Sequence, residues 1–413
     1  MIDKILDFFG KKMRFDIRYV AKGFFWFGTE YGVSIFTGIA TSVAFANLLS
    51  PETYGTFKYV LALLPFLGIS TLNKLDDSLT ISVAKGFEGD TAGVLKTKMK
   101  WGLLGSLAGV VLSAYYYFNG DSALSLYVLA AAFFIPFFNP PLIYSNFLIG
   151  KKKFKTVSIL NSFSSVFYSV AIIATVLLSK SVILILLSYF IVNSSLRFFA
   201  LFYTLKKYPP NENKERKTLD YGKKLNFLEI VNIISSSLDN ILVFHYLGAA
   251  ELAAYAFIKK VPENMKFIPR FITTLSIPKF SNKDIGDPAV KKEVIRKSWL
   301  FFLGTAALIA VYILAAPFIF NLLFNPYKQY VFLSQIYALS FAFNFGGLYL
   351  SFIETNRNLK SVISLNLTTS VSSILVMLIF LKFYGLLGLV IGYSVNRFLS
   401  SIMRYLYFKK AEK

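Results

Sequence analysis

The run Lys206–Lys224, KKYPPNENKERKTLDYGKK, is the longest hydrophilic stretch of the chain and falls near its middle. Its charges, paired prolines and asparagines are the composition of a connection. Long apolar stretches flank it on both sides, so it reads as a linker between two membrane-embedded halves. The whole chain agrees. Of 413 residues, 55% are apolar and 16% charged, and the mean hydropathy is +0.57. Soluble domains carry roughly a quarter charged residues, so an ordinary soluble fold is excluded.

Outward from the linker, segments of the ~20 mainly apolar residues that cross a bilayer occur at 20–48, 54–84, 101–118, 123–149, 154–178 and 182–205, then at 221–247, 252–277, 299–320, 331–353, 362–383 and 386–408. Charges interrupt the second, seventh and eighth. The expected fold is an all-α polytopic membrane protein with about twelve transmembrane helices in two six-helix lobes. The expected divisions are a cytoplasmic amphipathic N-terminus at 1–18, lobes at 19–205 and 221–413, and a cytoplasmic linker at 206–220. In the N-terminus, Ile2, Ile5, Leu6 and Phe9 fall at helical spacing among Lys4, Lys11, Lys12 and Arg14. That pattern suits either a helix lying on an anionic membrane face or a solvated tail. Its mixed charges and apolar residues, without a short apolar region and small-residue cleavage site, are not the pattern expected of a cleaved signal peptide.

Lys and Arg number 44 against 22 Asp and Glu, a formal charge of +22. Basic residues cluster at the N-terminus and then at every second connection: Lys85/Lys96/Lys98/Lys100, Lys151–Lys155, Lys206–Lys224, Lys279–Lys297, Arg357/Lys360 and the tail. The opposite connections hold only Lys180, Lys328 and Lys382. Cytoplasmic loops retain Lys and Arg, so both termini are expected in the cytoplasm. The charge is a topology signal, and nucleic acid is not an expected partner.

Some chemistry is excluded by what the sequence lacks. With no cysteine and one histidine there is no disulfide framework, thiolate metal site or thiol nucleophile, and no cofactor is expected. A GxxxxGK[ST] phosphate loop is absent, so the chain is not itself an ATP-driven pump. HExxH and GxSxG are absent too, and the short outer connections argue against an enzyme of glycan assembly.

The halves echo each other. Leu49–Phe57 (LSPETYGTF) follows the first span of one half, and Leu247–Tyr255 (LGAAELAAY) follows the first span of the other. Internal repeats of this kind build secondary transporters.

Charges inside spans cost ~2.5–3.5 kcal/mol each at a helix centre, so they face water or pair. The basic set is Lys22, Lys58, Lys74, Arg197, Lys259, Lys260, Lys266, Arg270 and Arg397. The acidic set is Glu30, Asp76, Asp77, Glu229, Asp239, Glu263 and Glu354. Snorkelling or a structural ion pair is the other reading for Lys22, Arg197 and Arg397. Lys259, Lys260, Lys266 and Arg270 share a segment with Pro262, Pro269 and Pro278, and cations on an irregular helix make an anion cradle. Lys74, Asp76, Asp77 and Glu229 are candidates for gating, although Asn73–Asp77 also suits an ordinary cytoplasmic helix end. Glu30 and Asp239 are candidate coupling carboxylates that could bind H+ or Na+. His245 reads as interfacial. The spacings Gly28/Gly32, Gly105/Gly109 and Gly388/Gly392 read as helix packing.

The turn LL-S-P-E-x-Y-G-x-F at Leu48–Phe57, the basic-loop alternation, LGAAELAAYAF at Leu247–Phe257 and SIPKFS at Ser276–Ser281 resemble the O-antigen type oligosaccharide flippases, polysaccharide biosynthesis export proteins of the multidrug/oligosaccharidyl-lipid/polysaccharide exporter superfamily. The resemblance implies two six-helix lobes in an inverted V, MATE-like, alternately open to each side. It also implies a cationic cavity for a polyprenyl-pyrophosphate-linked oligosaccharide, with Lys58, Lys259, Lys260 and Arg270 near the anion. The implied task is flipping that lipid from the cytoplasmic to the outer leaflet of the cell inner membrane, alongside other polysaccharide-assembly proteins. A multidrug or cation antiporter of the same fold is the alternative.

Overall fold

A chain that buries its backbone in lipid must bond every N–H and C=O internally, and helices do this within one segment. The computed structural model describes residues 17–215, 218–265, 288–343, 347, 349–350 and 359–410; these are helices and their connections, with no strand among them. In chain order the α-helices are α1 (Ile17–Leu48), α2 (Pro51–Leu67), α3 (Lys74–Ala84), α4 (Thr91–Phe118), α5 (Ser122–Phe138), α6 (Ile143–Gly150), α7 (Phe154–Leu178), α8 (Val182–Lys207), α9 (Thr218–Leu247), α10 (Ala249–Met265), α11 (Pro288–Leu323), α12 (Val331–Leu339) and α13 (Leu359–Lys410).

Seven stretches among the described residues are long and apolar enough to cross a membrane, and α2 with α3, bent by 53° between them, form a broken span or a re-entrant loop. The last stretch, Ser364–Lys409, runs 46 residues and breaks at Gly385 (φ 57°, ψ −140°), so it supplies the last two expected spans. The expected seventh, eighth and tenth fall on α9, α10 and α12, and the eighth and tenth continue outside the described residues. The chain is a multi-pass, all-α membrane protein.

Burial is inverted relative to a soluble domain. Phe118, Leu178 and Leu314 are more than four-fifths exposed, as suits side chains facing lipid. Hydroxyl pairs lie inside, such as Thr41–Ser169 and Ser113–Ser125, each at 2.9 Å. Helix interfaces in lipid favour such small and hydroxylated residues because backbones can approach closely. The expected packing glycines at Gly105 and Gly109 do this: a Cβ there would lie 2.2 Å from the Leu67 carbonyl oxygen and 2.5 Å from the Ala132 Cβ.

Prolines inside helices release the carbonyl four residues earlier, and at three of them a side chain from a neighbouring helix satisfies it. Pro136 frees the Ala132 carbonyl, which accepts from Ser106 Oγ at 2.7 Å. Pro262 frees Ile258, which accepts from Ser334 Oγ at 2.7 Å. Pro317 frees Ile313, which accepts from Gln335 Nε2 at 2.9 Å.

Contacts group the chain into two units, Met1–Leu48 with Leu63–Ile230, and Leu49–Ala62 with Val231–Lys413. This differs from the expected division at 206–220. The opening turns of α2 belong with the second unit, where Gly55 packs on Ala249, Tyr54 meets Phe257 at 4.9 Å and Tyr59 stacks on Phe244 at 3.8 Å. The opening turns of α9 belong with the first, where Gly222 packs on Leu75 and the Thr218 carbonyl accepts from Ser78 Oγ at 2.6 Å.

The connection from α8 to α9 is fastened to the α3–α4 turn. Asn211 Oδ1 accepts from the Glu88 N–H at 3.1 Å, and the Asn213 carbonyl accepts from the Gly89 N–H at 2.8 Å. Lys85 pairs with Glu215 at 3.1 Å. Asp90 Oδ2 accepts from the Glu215 N–H and from Thr218 Oγ1, both at 2.9 Å.

Candidate functional site

In the second unit, α9 and α10 bring a carboxylate and two lysines together across the helix turn at Gly248, whose φ of +90° suits glycine. Asp239 is 2% exposed. Its Oδ2 accepts from Lys259 Nζ, Tyr255 OH and Tyr393 OH, each at 2.8 Å, and its Oδ1 accepts from Asn240 Nδ2 at 3.1 Å. Lys259 also donates to Asn240 Oδ1 at 3.0 Å and lies 3.9 Å from the Tyr255 ring centre. A carboxylate with this many donors is a fixed counter-ion. Lys58, on α2, interacts electrostatically with Asp239, Lys259 and Lys260. Neither Lys58 nor Lys260 has a carboxylate within ion-pair distance among the described residues, so three lysines gather around the one carboxylate of Asp239.

Beside it, Tyr337 OH donates to Glu263 Oε1. Arg397 donates to Ser340 Oγ and stacks 3.9 Å from the Phe341 ring centre. His245 Nε2 meets Tyr59 OH at 3.1 Å within the aromatic group around Phe244.

In the first unit, α1, α6, α7 and α8 contribute to an open cavity of about 300 Å³ lined by Glu30, Tyr144, Asn161, Ser164, Ser165, Tyr168, Asn193 and Arg197 with two leucines. Glu30 Oε1 accepts from Asn161 Nδ2 at 2.8 Å, and Asn161 Oδ1 accepts from Tyr144 OH. Glu30 Oε2 is buried with no hydrogen-bond partner. Arg197 donates to the Phe138 carbonyl and stacks 3.9 Å from the Phe138 ring centre.

A third group lies at the start of α3. Lys74 pairs with Asp77 at 3.1 Å and with Glu229 at 3.5 Å. Lys98, fully buried, pairs with Asp76 at 2.5 Å. Lys98 was expected in a basic connection. Instead, α4 begins at Thr91, ten residues before the expected span, and carries Lys98 two turns inside the helix, where Asp76 neutralises it.

The structure therefore gathers Lys58, Asp239, Lys259 and Lys260 in one cluster and Lys74, Asp76, Asp77 and Glu229 in another, with Glu30 in a separate cavity. Lys266 and Arg270 lie outside the described residues. Sequence reasoning missed Tyr255, Tyr393, Asn240, Asn161 and Tyr144, because neutral polar residues leave no charge signal. The candidate i, i+4 pair Tyr255/Lys259 on one helix face was the available clue.

The sequence profile of the family described as Polysaccharide biosynthesis protein matches residues 20–283. The "Putative O-antigen transporter" of Shigella flexneri is 23% identical over 411 residues, which cover 93% of this chain and 96% of that protein. Among solved structures, the fold is similar to that of lipid II flippase MurJ in an inward closed conformation, with a TM-score of 0.69 and 16% identity across 93% of this chain and 87% of that one. It is also similar to an inward-facing multidrug resistance MATE family transporter of the MOP superfamily, with a TM-score of 0.66 and 13% identity across 92% and 93%. The helical arrangement is the one these exporters share.

Proposed function

The chain belongs to the polysaccharide biosynthesis protein family, and from that premise we propose that it flips a polyprenyl-pyrophosphate-linked oligosaccharide from the cytoplasmic to the outer leaflet by alternating access. The observation that carries this is the lysine cluster of the second unit. Lys259 is bound to Asp239, while Lys58 and Lys260 have no carboxylate at ion-pair distance among the described residues, and a pyrophosphate is the anionic group of such a lipid. The cluster holds its geometry without the substrate because Asp239 and the tyrosines fix Lys259.

The energetics suit expulsion without ATP. An inside-negative potential drives an anion outward with ~2.3 kcal/mol per charge per 100 mV. Lysines that stay on rocking helices leave that drive intact, whereas lysines travelling with the anion would cancel part of it. The reading places the chain in the cell inner membrane with both termini in the cytoplasm, beside other polysaccharide-assembly proteins. No bond is made or broken in the step, so the chain is a transporter and not an enzyme.

The test is flipping of fluorescent polyprenyl-pyrophosphate sugars in sealed proteoliposomes. Lys260→Gln should slow it about tenfold, the loss of one charge-assisted contact, and Lys260→Glu should be worse. Undiminished flipping in a Lys58→Gln/Lys260→Gln variant would remove the cluster from the substrate path.

A further inference from the structure

Glu30 was a candidate for binding H+ or Na+, and the cavity around it is larger than either ion needs. Its volume of about 300 Å³ is roughly ten waters' worth of liquid and sits at the lower end of small-molecule pockets. One carboxylate contributes to it, and no group of three or more acidic or histidine side chains suited to a metal occurs among the described residues. Arg197 lines the same cavity and opposes a bound cation. A lone arginine beside a carboxylate is equally unsuited to a pyrophosphate.

The remaining lining mixes hydroxyls and an amide, from Ser164, Ser165, Tyr168 and Asn193, with apolar surface from Leu142 and Leu196. Glu30 offers a buried, unpartnered oxygen and is held in place by Asn161. No ion pair joins it to Arg197 among the described residues, so a ligand can accept from one and donate to the other. A neutral molecule with several hydroxyls matches such a mixture of donors and acceptors, and an aromatic wall at Tyr168 gives its carbon face a surface.

We infer that the cavity is a saccharide subsite, taking one sugar residue of the headgroup, with Glu30 accepting from ring hydroxyls and Arg197 donating to a sugar oxygen. This rests on the flippase reading and adds to it a source of glycan selectivity. A site built to hydrogen-bond hydroxyls discriminates strongly against a ligand lacking them, because its buried groups are then left unpaired.

The experiment measures binding to the full chain in nanodiscs. The probes are a bare prenyl pyrophosphate and a panel of the same lipid bearing N-acetylglucosamine, N-acetylgalactosamine, galactose, glucose or a deoxyhexose as first sugar. At least one glycosylated probe should bind about tenfold tighter than the bare lipid. Glu30→Gln should erase that gain and leave bare-lipid binding unchanged. Ser165→Leu, which fills the cavity and keeps both charges, should do the same.

A wild-type chain that binds every glycosylated probe no better than the bare lipid overturns the subsite and leaves the flippase reading standing. A gain that survives both variants does the same. If Glu30→Gln abolishes the response of flipping to a pH or sodium gradient while Ser165→Leu keeps the glycan gain, the cavity is a coupling site and the subsite is refuted. A wild-type chain that binds neither bare nor glycosylated lipid removes the flippase reading and the subsite with it.

Discussion

Gly55 packs directly on the backbone of Ala249: a Cβ at position 55 would lie 1.8 Å from the Ala249 carbonyl oxygen. The two residues stand in the two repeated turns, and a backbone neighbour has no rotamer by which to move aside. Gly55→Ala should therefore destabilise the protein by about 1–3 kcal/mol, the usual cost of overpacking. Thermal unfolding in detergent followed by intrinsic fluorescence checks this, and an unchanged melting curve would contradict the packing.

Asp239 and Lys260 should separate structure from transport. Asp239→Ala leaves the half-buried Lys259 without its counter-ion, which costs about 3 kcal/mol, the low end for a broken buried pair. Lys260, with no carboxylate partner among the described residues, should tolerate Gln with little change in melting while flipping falls. Equal loss of stability in both variants would mean that Lys260 is structural.

The Asp76–Lys98 pair provides a second contrast. Lys98→Met alone strands a carboxylate and should destabilise by about 3–5 kcal/mol, whereas Lys98→Met combined with Asp76→Leu should recover most of the loss. A double variant as unstable as the single would show that the pair carries more than its own neutralisation.

Asp90 fastens the α8–α9 connection. Removing its two bonds with Asp90→Ala should loosen the segment by about 1 kcal/mol, as at a lost helix cap. Trypsin should then cut at Lys214 roughly five times faster, read by gel against the wild type under native conditions. Equal cleavage rates would assign the anchoring to Asn211 and Asn213.

Topology is checked directly because the chain has no cysteine of its own. Ser179→Cys and Lys214→Cys, each alone, should react with an impermeant maleimide from opposite sides of the membrane. Labelling of both from outside would overturn the orientation.

The spans were legible because ~20 apolar residues have one use in water-facing biology, and basic connections fix their sense. Pro262 was legible as a break, but the side chains that answer it and Pro136 and Pro317 were not. Ser106, Ser334 and Gln335 come from other helices, and nothing local marks them. In the same way Lys259 could be read as a functional cation, while its clamp of Tyr255, Asn240 and Tyr393 could not, since Tyr393 lies 154 residues from Asp239. Lys98 was misplaced because an expected span began where the run of lysines ended, although α4 starts ahead of them.

The membership of 49–62 in the second unit and of α9's opening turns in the first bears on how the protein is made. When the ribosome has released the first two hundred residues, the start of α2 still lacks the neighbours it will meet from residue 231 onward. The first half must wait, inserted but incomplete, for the second to be translated. A gene split within 208–217 should accordingly yield two fragments that are degraded when expressed singly and survive when expressed together, each supplying the strip of helix that the other's fold leaves open.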